Sequence, residues 1–98
     1  NDNYRSWDDD LLAGSLHPIE IFEFFYVLRK NNWEGVWQLD QFPFREDSIE
    51  MANQAIDFLK SINNALDDLD VKSLQEAQSN HDAMAALKIA QKALYKNL

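Results

Sequence analysis

Cysteine is absent, glycine and proline occur twice each, and nine basic residues stand against seventeen acidic ones. Without cysteine there is neither a disulfide nor a thiolate metal site, which fits a reducing compartment, and a cytoplasmic location is expected. Gly14 and Gly35 are too few and too far apart for a glycine-rich phosphate loop. The formal net charge of −8 leaves no basic face for nucleic acid or an anionic membrane, so neither is expected as a partner. No apolar run approaches the roughly 20 residues of a membrane-spanning helix. Asn1 to Asp10 is acidic and has no apolar core of the kind a secretory signal carries. The chain begins with Asn1 rather than Met, which reads as a processed or proteolysed piece.

Aromatic residues are plentiful: six Phe, three Trp and three Tyr in 98 residues, most of them before residue 59. A single domain of this size has only a modest interior in which to bury them. Some apolar surface is therefore expected to stay exposed and to drive self-association.

Residues 1–16 read as a loop, because charge dominates and no period emerges. Pro18 marks a helix start, with Ser15 or His17 at the cap. Apolar residues such as Ile19, Phe22, Phe25 and Leu28 fall on nearly every side of the helix that follows, predicting burial over much of its surface. Asn31, Asn32 and Gly35 end it. Val36-Trp37-Gln38-Leu39 is a short β-favouring run, predicted as a strand that ends at Asp40. Asp47 with Glu50 forms a capping-box pattern. Ile49, Ala52, Ala55, Ile56, Leu59 and Ile62 then mark an amphipathic helix over 48–65. Asp67 to Asp70 is a break. A short helix is predicted over 71–79 with Val71, Leu74 and Ala77 on one face. Another is predicted over 81–96 with Met84, Leu87, Ile89 or Ala90, and Leu94. Its Ala and Lys content favours helix, and Lys92 and Lys96 suit its C-terminal dipole. One strand cannot satisfy its own backbone hydrogen bonds, so its neighbours must come from another chain or from further polypeptide.

The chemistry-bearing features are acidic. In extended backbone Asp8 and Asp10 point to one side, where two carboxylates can share a hard divalent cation. A solvated charged turn is the commoner meaning of such a triplet. Asp40 stands where the predicted strand gives way to a loop, and an Asp there is a catalytic position in some folds and an ordinary turn residue in others. His17 and His81 both lie at helix starts, where capping is the simpler role. Neither has metal-ligand spacing, so no zinc site is indicated.

Taken together, Asn1-Asp2-Asn3-Tyr4-Arg5-Ser6-Trp7-Asp8-Asp9-Asp10, the following Leu11 to Ser15, and His17-Pro18 resemble the late part of xylose-isomerase-like barrels. The branch containing L-rhamnose isomerase and related sugar isomerases is the most similar. Gln38-Leu39-Asp40 before an aromatic-rich loop and a helix resembles the last barrel strand of that family. The resemblance covers about residues 1–66. It implies an α/β fold: the C-terminal βα portion of a (β/α)8 barrel over 1–66, with a helical extension over 67–98, the piece itself being mostly α-helical.

The resemblance further implies aldose–ketose isomerisation with divalent Mn, Mg or Co. Asp8 and Asp10 would be ligands of the catalytic metal, and Asp40 a ligand of the structural metal that anchors the sugar. Asp2 and Asn3 would line the same rim and bind substrate. The family's metal-linked His is missing before Asn1, and its ligands from earlier strands are missing too, so this set is partial and the piece alone is expected to be inactive. Two alternatives remain: a non-enzymatic helical interaction module, and a sugar-phosphate epimerase of the same superfamily.

Overall fold

The computed structural model describes residues 11–41 and 45–96. Among the described residues the fold has four helices: α1 (Pro18–Lys30), α2 (Ser48–Ala65), α3 (Val71–Ser79) and α4 (Ala83–Leu94). A single 3-10 turn, Leu66–Asp68, joins α2 to α3. There is no strand among the described residues, which overturns the expected βα barrel portion. The reason lies in hydrogen bonding: the one β-favouring run, Val36 to Leu39, finds no backbone partner there, whereas each helix closes its own.

The helices are bounded by local chemistry. Pro18 occupies the first position of α1, where a missing N–H costs nothing. His17 holds the N-cap position but makes no side-chain capping bond. Asp47 caps α2 by accepting from the Glu50 N–H at 2.8 Å, one half of the predicted capping box. Asp82, rather than His81, caps α4 by accepting from the Ala85 N–H at 3.0 Å. His81 serves the preceding helix instead. It adopts a left-handed backbone with φ 54°. Its N–H donates to the Gln78 carbonyl at 3.1 Å, and the Asp82 N–H donates to Ala77 at 2.8 Å, which together make a Schellman closure of α3.

Helix α1 ends the same way. Asn32 has φ 54°, its N–H donates to Arg29 at 3.1 Å, and the Trp33 N–H donates to Leu28 at 3.0 Å. That closure turns the chain away from the α1 axis just before Trp33.

Asp70 caps α3. Its carboxylate accepts from the Ser73 hydroxyl at 2.7 Å and from the Ser73 N–H at 3.1 Å. These two bonds, helped by nearby Lys72 and Lys92, hold its pKa below the ordinary value of 3.8. A depressed carboxylate pKa contributes stability at pH above its unfolded value, and that contribution is lost as pH falls through the lower folded value. The thermal midpoint of the wild type should therefore fall more steeply on acidification below about pH 4 than that of Asp70→Asn, whose cap does not titrate. Identical pH profiles would show that the cap carries no such linkage.

The core forms where all four helices meet. Phe22 and Phe25 of α1, Ile62 and Ala65 of α2, Leu66 and Leu69 of the connection, Leu74 of α3 and Ala93 of α4 are one buried cluster. Residues on both sides of position 66 thus share it. The burial of α1 is one-sided: Phe24 and Val27 are exposed, against the burial over much of its surface expected from its sequence. In α2 the buried residues are Met51, Ala55, Ile62 and Ala65, so Ile49 and Ile56 of the predicted stripe face outward. Helix α4 turns Ala86, Ile89, Ala90 and Leu94 toward the cluster beside Ala93, leaving Met84 and Leu87 exposed. The turn before α1 seals the far side of α2. Gly14, at φ +85°, sits where an added Cβ would lie 3.2–3.3 Å from Phe58, Ile62 and Leu59.

Candidate functional site

Asp40 is the one sequence-predicted site residue within the described residues. Asp2, Asn3, Asp8 and Asp10 lie outside them. Asp40 is exposed and forms no hydrogen bond or ion pair among the described residues. It follows an irregular stretch rather than the predicted strand. Among the described residues no group of three or more His, Cys, Asp or Glu side chains gathers as a metal site. A single exposed carboxylate suits a hard cation by donor type but does not hold one unaided.

One long-range contact ties the Asp40 region to the start of the chain. The Gln41 side-chain oxygen accepts from the Ala13 N–H at 3.0 Å, in a partly buried setting. Gln41 adjoins Asp40, and Ala13 lies three residues after Asp10 in the sequence.

A second feature was not anticipated. Between α1, α2 and the stretch 33–39 runs an open groove of about 610 Å³. Phe25, Trp33 and Trp37 form its aromatic wall, with Ile56 and Leu59 opposite. The Trp37 ring stacks on Phe25, centroids 4.2 Å apart and planes 6° from parallel. Trp33 lies 6.5 Å from Trp37 at 9°. Both indoles remain more than two-fifths exposed. The clue in the sequence was two Trp residues four apart around a glycine, outside any helical period.

The polar edge of the groove is ordered by Arg29. Its guanidinium donates to Asp67 at 2.8 Å and to the Asn63 carbonyl at 3.1 Å. The ion pair is largely exposed, so its worth is about 1 kcal/mol or less. Gly35 is required by Trp33: an added Cβ would come within 2.6 Å of the indole Cη2 atom. Gly35→Ala should therefore swing the indole outward and raise acrylamide quenching of tryptophan fluorescence, while changing stability by less than about 1 kcal/mol. Unchanged quenching would mean that the ring does not rest on Gly35.

No helix among the described residues is long and apolar enough to cross a membrane. No protein-family model matches the chain, and no curated protein matches it.

Proposed function

We propose that this chain is part of a divalent-metal-dependent sugar isomerase that interconverts an aldose and a ketose. Asp8, Asp10 and Asp40 would supply carboxylate ligands to a site completed by further polypeptide, with Asp2 and Asn3 at the sugar-binding rim. The observation that supports this reading is the hydrogen bond from the Ala13 N–H to Gln41, the neighbour of Asp40, with Ala13 three residues after Asp10 in the sequence. The resemblance of the run from Asn1 to Pro18 to sugar isomerases is its other support. Oxygen-only ligands favour Mn, Mg or Co over softer metals. When bound, such a cation polarises a sugar carbonyl and lowers the pKa of a coordinated hydroxyl. The acidic surface excludes competing polyanions and leaves a neutral sugar as a suitable substrate.

The test is made on the longer protein that carries this chain. It is incubated with a panel of aldoses and Mn, and ketose formation is followed by NMR. Conversion of at least one sugar, abolished by a chelator and restored by Mn, is the expected result. No conversion of any aldose rejects the reading.

A second reading, a non-enzymatic helical interaction module, is favoured by one observation: the half-exposed indoles of Trp33 and Trp37 in the groove. Exposed aromatic residues in a concave surface are the common anchors of partner binding. It predicts that the groove is occupied without any metal. Metal-independent binding together with no isomerisation would select it over the first.

A further inference from the structure

We draw no further inference here: the strongest candidate, the aromatic groove between α1, α2 and the stretch 33–39, is lined by charges of both signs, Glu34 and Lys60, with Arg29 paired to Asp67, and nothing in the structure shows what covers it.

Discussion

Ile62→Ala is expected to lower the stability of this domain by about 3–5 kcal/mol, while Ile49→Ala on the same helix changes it by less than about 0.5 kcal/mol. Ile62 is 2% exposed and belongs to the cluster that joins all four helices. Its truncation removes apolar burial and leaves a cavity that Phe22, Phe25 and Leu66 are too constrained to fill. Ile49 is 72% exposed in the first turn of α2 and has little to lose. A domain of this size has a total stability of only about 5–15 kcal/mol, so the first variant stands near the unfolding threshold. Urea titration followed by far-UV circular dichroism measures both. The midpoint of Ile62→Ala should fall with the slope unchanged. Equal costs at the two positions would mean that the helices do not pack as described.

Under the proposed function, Asp40→Asn is expected to remove isomerase activity from the protein that carries this chain while leaving the fold intact. The substitution conserves shape and removes the charge that a hard cation requires. Loss of a partner that merely orients a metal ligand costs about 10–100-fold, so loss of a ligand should cost at least about a hundredfold in metal affinity or turnover. Asp40 is exposed and bonds to nothing among the described residues, so the helical signal and the thermal midpoint should stay at their wild-type values. Turnover is measured on the converted aldose at several Mn concentrations. Wild-type turnover would remove Asp40 from the site. A collapse of the fold would instead show that Asp40 has a structural role.

Much of the helical framework was legible because its signals are local. Pro18 at a helix start, Asp47 three residues before Glu50, and the apolar spacing through Ala55 and Ile62 each act within a turn or two of backbone. The predicted segment 48–65 coincides with Ser48–Ala65, and the predicted segment 71–79 with Val71–Ser79. What failed was the strand over Val36 to Leu39. β-propensity expresses how a residue fits beside a neighbouring strand, and the described residues provide none. The α/β class fell with that strand.

The candidate site was legible only in part. Asp40 was named from its position after a β-favouring run, and it is exposed. That Gln41 reaches back to Ala13 is a contact across 28 residues, and no local pattern announces such a contact. The aromatic groove escaped for the same reason. Trp37 read only as part of a predicted strand, and Trp33 is placed by the left-handed closure at Asn32 and by the space that Gly35 leaves open.

By itself, the sequence determined the acidic balance, the absence of disulfides, the helical segments and the cap at Asp47. These depend on composition and on interactions within a few residues. The tertiary structure decided which face of each helix is buried, because a helix with apolar residues on several sides has more than one stripe to offer. It chose Phe22 and Phe25 over Phe24, and Ile62 over Ile49, since only those residues converge on Leu66, Leu74 and Ala93. It also left Val36 to Leu39 unpaired among the described residues beside a groove, because pairing requires a second strand and no propensity can supply one.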